Sequence, residues 1–372
     1  MPIRWKGLLG VLLAVACLAG CGSSSSSGSG SSGSGGSSSS SHLALVSVPL
    51  QNGVSVYRVS GSGSLTVVAG SPFLAGTSPS SIWVHPSGNF AYVANQGEND
   101  ISLLKIDNSA GSLTEVKPRT PAGVNPSSIG MDSGGNFLYV TNQASNTISV
   151  YSLSSSTGAL TAVAGSPFPA NPGPQTLLVS PTGNFLFVCN PNLAAVSVYA
   201  ISSGALQEVA GSPFAVGHLP ISMVIDPSEH FLYVTNEGDT TLSVFTITSG
   251  PGTLSLTPVN GSPFTTGYPP VSVALDPSGN YLYVTNQGAA NISAYALDSI
   301  TGIPTQILNS PFVASTTPSF LVMDSSNKFL LEVDQTAKSI STLPITAGTG
   351  ALSGISSTTV LGAAPASIFV TK

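Results

Sequence analysis

Charge is what this chain has least of. Asp, Glu, Lys and Arg together make up 6% of its 372 residues, against about a quarter in ordinary soluble domains. Its surface must therefore be built from Ser, Thr, Asn, Gln and Gly. Basic residues are scarcer still. Two of the nine Lys and Arg, Arg4 and Lys6, fall in the first six residues, so seven cations remain against fifteen anions. No basic patch can form from so few, which excludes nucleic acid as a partner. Cysteine is nearly absent too. Cys17 and Cys21 lie close to the N-terminus and only Cys189 sits in the body, so no intramolecular disulfide is possible. Stability must come from burial, and a body of this size can bury a large core. Helical periodicity of useful length is missing beyond the first twenty residues. Phosphate loops, serine elbows, zinc spacings and paired carboxylates are missing as well, so no metal or cofactor is expected.

The N-terminus carries an address. Arg4 and Lys6 precede an apolar run, Gly7 to Leu18, that is short for a membrane span. The run ends in Leu18-Ala19-Gly20-Cys21, which resembles a bacterial lipoprotein box. The expectation is a signal over residues 1–20 and lipidation of Cys21, with two or more acyl chains giving stable anchoring. Gly22 to Ser41 contains only Gly and Ser, a composition that buries too little to offset its chain entropy. It serves as a tether with a reach of about 25 Å. The body, residues 43–372, is then expected outside the cytoplasm, held to a membrane by lipid and monomeric.

That body repeats. Asn95, Asn142, Asn190, Asn236, Asn286 and Asp334 follow one another at 46 to 50 residues, each closing an apolar run. Pro79, Pro126, Pro174, Pro220, Pro270, Pro318 and Pro365 open another run at the same spacing, and Gly-Ser-Pro-Phe recurs at 70–73, 165–168, 211–214 and 261–264. Each unit holds four short runs rich in β-branched and aromatic residues and bounded by Gly, Pro, Asn or Asp, which read as strands. Four antiparallel strands repeated at this period describe a blade. The sequence thus predicts an all-β, seven-bladed β-propeller, its C-terminal run completing the N-terminal blade. The Asp-Pro-Ser-Gly words between the first two runs are hairpin-turn chemistry. They lack the acidic companions of a calcium loop.

In such a ring the starts of first strands and the ends of second strands meet at one mouth. Two positions after the prolines come Ser81, Ser128, Thr176, Ser222 and Ser272; just past the second strands come Gln96, Gln143, Glu237 and Gln287. These residues either cap strand ends and loop backbone or line a neutral polar pocket for a sugar-like or lactone ligand. His218 stands two residues before Pro220, where it could approach Glu237 as an acid–base partner.

The words "PSGNFAYVANQ", "GNFLYVTNQ", "PTGNFLFVCNP", "EHFLYVTNEGD" and "PSGNYLYVTNQG" resemble the lactonase-type seven-bladed propellers and the related YVTN-repeat proteins of bacterial envelopes. The resemblance covers residues 43–372. It implies hydrolysis or formation of sugar and related lactones, 6-phosphogluconolactone among them, and a Gly-Pro-Arg-His motif ahead of a hairpin ending in Asn-Glu. The matching stretch here is "GHLPISMVIDPSEHFLYVTNEG". Glu237 falls on the family glutamate and Pro220 on the proline, but Ile221 and Ser222 stand where Arg and His are expected. Opening a lactone needs stabilisation of an oxyanion and a base near neutral pKa, and Ile and Ser supply neither. Two readings follow: a non-catalytic scaffold that binds a ligand or an envelope protein, or a divergent lactonase that uses Glu237 with help from His218.

Overall fold

A computed structural model of the chain describes residues 42–372. The expected signal, Cys21 and the Gly/Ser tether lie outside these residues. Among the described residues, no helix is long and apolar enough to cross a membrane.

Seven antiparallel sheets are arranged as blades, each running outward in chain order. Blade 2 shows the pattern, with strands Pro79–Val84, Phe90–Asn95, Asp100–Asp107 and Ser112–Pro121. Blades 3 to 7 begin with the inner strands Pro126–Met131, Leu177–Val179, Pro220–Ile225, Pro270–Leu275 and Pro318–Met323. Blade 1 is composite. Its inner strand, Ser367–Val370, is the last of the chain and pairs antiparallel with the first, His42–Val48, in the register Ser47↔Ser367. That same inner strand packs against the inner strands of blades 2 and 7, so the ring closes as the repeat spacing predicts. Closure gives blade 1 an inner strand like those of the other six blades.

Five of the seven sheets hold one strand more than expected. The Gly-Ser-Pro-Phe word is the cause in four of them, and Asn309-Ser310-Pro311-Phe312 takes its place in blade 6. In the four words, Ser71, Ser166, Ser212 and Ser262 accept the third-strand amides of Val56, Val150, Val198 and Val244 at 2.8–3.0 Å. The following Phe then pairs with the third strand as a two-residue outer strand, Phe73 opposite Val54 and Phe264 opposite Leu242. A marker of the period in sequence is thus a clasp on the outer edge.

In blades 2 to 6 an asparagine ends the second strand, and in blades 2, 3 and 5 it ties that strand to the third strand and to the loop ahead of the inner strand. In blade 5, Asn236 Nδ2 donates to Ser243 at 2.8 Å and Thr241 at 2.9 Å, while its Oδ1 accepts Gly217 N–H at 3.1 Å. Blades 2 and 3 repeat this with Asn95 and Gly76, and with Asn142 and Gly123. In blades 3, 5 and 6 the residue opposite the amide is glycine, and a Cβ on Gly123, Gly217 or Gly267 would sit 2.6 Å from the Asn side chain.

The core lies between blades. Leu45, Val54 and Val56 of blade 1 pack on Ile82, Val93 and Leu104 of blade 2, and the same exchange runs around the ring. A single blade has two apolar faces and is stable only when both are covered. Tyrosines seal the seams: Tyr92, Tyr233 and Tyr283 donate to the carbonyls of Gly158, Gly302 and Gly350 in the next blade at 2.8–3.1 Å.

Candidate functional site

The pairs Pro79↔Asn95, Pro220↔Asn236 and Pro270↔Asn286 place the starts of inner strands beside the ends of second strands. The mouth inferred from topology therefore exists, and the residues after each Asn gather there. Gln96, Gln143, Glu237 and Gln287 are half-buried, their backbone amides bonded to Ser78, Asn125, Leu219 and Pro269.

The hydroxyl ring is not part of that open surface. Ser81, Ser128, Thr176, Ser222 and Ser272 are at most 2% exposed. Four of them do one job: Ser81, Ser128, Ser222 and Ser272 accept the N–H of Ile129, Leu177, Val273 and Leu321 on the next inner strand at 3.1–3.2 Å. Thr176 donates to the carbonyl of Ile221 at 2.6 Å. These five residues join successive blades, and their hydroxyls are spent before any ligand arrives. Inner strands of neighbouring blades belong to separate sheets, so the short hydroxyl side chain supplies the acceptor that a paired strand would otherwise give.

His218 and Glu237 do not form a pair. His218 N–H donates to Asp239 Oδ2 at 2.6 Å and its ring Nδ1 lies 2.7 Å from Asp239 Oδ1, with the side chain 79% exposed. The hydrogen bonds to His218 hold the Asp239 carboxyl below its usual range. Blade 2 shows that this is a capping device of the fold: Glu98, also three residues past its Asn, accepts both the backbone and the hydroxyl of Thr77. Comparing Glu98/Thr77 with Asp239/His218 in the aligned repeats would have revealed the partner.

Glu237 is different. Its carboxylate has no hydrogen-bond or ion-pair partner among the described residues, and burial raises its pKa. No cation answers it. Arg119 is bound to Glu98, to Glu115 at 2.6 Å and to the carbonyl of Ala75 at 2.8 Å, and Lys117 to Glu115 at 2.8 Å. The mouth thus offers amides and one lone, partly desolvated carboxyl. Among the described residues no group of three or more His, Cys, Asp and Glu is placed to hold a metal. The repeated aspartates serve their turns: Asp132, Asp226 and Asp276 accept the amides of Phe137, Phe231 and Tyr281 at 2.5–2.6 Å.

Among solved structures, the chain is similar to a candidate 6-phosphogluconolactonase from Bacteroides fragilis, with 18% identity and a TM-score of 0.76 over 91% of this chain and all of the other. The periplasmic gluconolactonase of Pseudomonas aeruginosa aligns at 18% identity and a TM-score of 0.73, covering 90% of this chain and 99% of that one. A protein from Lactobacillus plantarum aligns at 17% and 0.74, over 89% of this chain and all of that one. At such identities the likeness shows the fold alone. No curated protein sequence matches. The family model described as lactonase, 7-bladed beta-propeller, matches residues 38–173 and 169–369. Since that match spans nearly every blade, the chain belongs to the lactonase family of seven-bladed β-propellers.

Proposed function

We propose that the chain is a lipid-anchored, extracytoplasmic propeller that binds a ligand or an envelope partner, retaining the lactonase framework without its cationic machinery. One observation carries this reading. At the positions where the family places Arg and His, Ile221 has no polar group and the Ser222 hydroxyl is committed to Val273 N–H at 3.2 Å. A tetrahedral oxyanion formed at this mouth would meet amides and a carboxylate, and a negative group beside a developing negative charge raises the barrier. The Leu18 to Cys21 box and the Gly/Ser stretch behind it support the anchored, extracytoplasmic placement, as does similarity to a gluconolactonase described as periplasmic.

A second reading is favoured by Glu237 itself. A partnerless, desolvated carboxyl with a raised pKa suits a general base, and a lactonase that relies on it alone would keep it so. Hydrolysis of a panel of sugar and aliphatic lactones by the wild type and by Glu237→Gln separates the two. Turnover by the wild type that disappears in Glu237→Gln overturns the binding proposal. Rates indistinguishable from buffer for both proteins support it.

A further inference from the structure

On the face opposite this mouth, where first strands turn into second strands, lies a cavity of about 380 Å³ framed by blades 1 to 5. Its volume falls in the range of roughly 300–1,000 Å³ typical of small-molecule sites. The inner strands supply its apolar wall. Trp83 and Phe369, at equivalent positions in adjacent blades, have ring centroids 5.3 Å apart with planes tilted by 57°, and Met131 and Leu178 line the cavity beside them. The equivalent residue of blade 3 is Gly130, where a Cβ would meet Leu177 Cδ1 at 2.5 Å.

Trp83 is out of keeping with its surroundings. The other inner strands carry Gly130, Leu178, Val224, Ala274 and Val322 at this position, and Phe369 is buried whereas the indole is half exposed. Its N–H has no partner among the described residues. Buried or half-buried indoles normally find an acceptor, so this donor is available to a ligand. Around it stand short polar groups: the Ser133 hydroxyl, exposed and unbonded, and Asn108, which spends only its Nδ2, on Asn89 at 3.3 Å. The charged groups in the lining are already engaged. Asp132 accepts Phe137 N–H at 2.6 Å and Asn136 Nδ2 at 3.1 Å, and Lys372 has an interaction of its own. His85 is fixed as well: Ser87 N–H donates to Nδ1 at 3.0 Å, leaving Nε2 to donate to the Gly135 carbonyl at 3.2 Å.

A ligand for this cavity must therefore be neutral, present an apolar face to an aromatic plane, and carry hydroxyls on its edge for an indole donor, an amide and a serine. We infer that the cavity is a binding site for neutral sugar rings, which show C–H bonds on their faces and hydroxyls around their rims. The site is separate from the Glu237 mouth, and its occupation does not depend on whether that mouth turns over lactones.

With residues 1–20 removed as a signal, the mature chain in detergent has Trp83 as its sole indole, so its emission reports on the cavity directly. Titration with methyl β-glucopyranoside, cellobiose, N,N′-diacetylchitobiose and maltotriose should give a saturable change in emission with at least one of them. Ser133→Arg, on an exposed rim position that makes no contact the fold needs, should weaken that binding by about tenfold or more. Glu237→Gln on the far face should leave it unaltered. Absence of any saturable change up to the solubility of all four sugars overturns the assignment. So does a response that Glu237→Gln abolishes and Ser133→Arg does not, or one given only by gluconate and other sugar acids.

Discussion

Blade 7 contains a carboxyl where the repeat has a hydrocarbon. Val46, Val93, Val140, Val188, Val234 and Val284 occupy one position of the second strand, all fully buried, and Glu332 occupies it in blade 7 with no exposure either. Two neighbours change with it. Ser315 stands where blades 2, 3, 5 and 6 have a glycine opposite the Asn, and Asp334 stands where those blades have the Asn itself. Ser315 donates its hydroxyl to Glu332 at 2.5 Å and its N–H at 3.2 Å. Burial, opposed by these hydrogen bonds and aided by the nearby Asp334 charge, pushes the Glu332 carboxyl from 4.5 up to about 7. Asp334 feels burial too, but donors from Thr317 and Ala337 hold it below its usual value.

A carboxyl with a raised folded-state pKa is protonated in the native protein over a window where the unfolded chain is ionised. Between pH 4.5 and about 7 the native state binds the extra proton, so stability falls as pH rises through that window and levels off above it. A shift of this size corresponds to about 3 kcal/mol at 1.36 kcal/mol per unit. Glu332→Gln keeps an acceptor for Ser315 and removes the titration. It should match the wild type near pH 4.5 and exceed it by about 3 kcal/mol at pH 8. With about 2.1 cal/mol/K of unfolding entropy per residue, that is a Tm difference of about 4 °C. Paired melts at the two pH values read it directly, because every other carboxylate cancels between the two proteins. If the Tm gap between Glu332→Gln and wild type is the same at both pH values, Glu332 does not titrate as reasoned and the argument fails. A Glu332→Val/Ser315→Gly double variant, which rebuilds the pattern of the other blades, should lose the pH dependence as well.

Gly217→Ala drives a Cβ into Asn236 and should cost about 2 kcal/mol through the amide's lost hydrogen bonds, seen as a lower urea midpoint; an unchanged midpoint would mean the loop simply moves aside. Cys21→Ser, expressed as the full precursor, should transfer the protein from the membrane fraction to the soluble one, whereas continued membrane association would remove the lipid anchor from the proposal. The lactone panel with Glu237→Gln should show no turnover by either protein.

Blade number, strand order and ring closure were readable because they are properties of spacing. A repeat of 46 to 50 residues with Pro and Asn at fixed offsets fixes where chains turn, and composition fixes that the turning segments are strands. Side-chain partners are less readable. From spacing alone, His218 has two carboxylates within reach, Glu237 and Asp239, and only rotamers and the loop's path choose Asp239. The serines after the prolines line up in sequence as a polar ring. Whether a hydroxyl faces the lumen or the neighbouring blade depends on how neighbouring inner strands sit against one another, which no local pattern encodes. The outer Phe strand was hidden for a related reason: two residues are too few for a periodicity, and the word Gly-Ser-Pro-Phe looks like a turn.

A ring of equivalent blades supplies its own control for such residues. Every position occurs up to seven times in nearly the same environment, so a side chain required by the fold recurs around the ring. The Asn that ties second strand, third strand and inner-strand loop, the Ser that bridges inner strands and the Tyr that seals a seam all recur, and their recurrence is explained by contacts they make in several blades. Glu237, Trp83 and Glu332 do not recur, and the contacts that explain their neighbours do not explain them. Glu237 has no partner, Trp83 leaves its donor unused, and Glu332 buries a carboxyl in a seam that six valines fill without one. The other blades carry glutamine or proline, mostly small or aliphatic residues, and valine at these positions. The three substitutions therefore mark where the chain departs from its scaffold, at the mouth, in the opposite cavity and inside blade 7, and each departure carries a cost that binding, catalysis or pH response must offset.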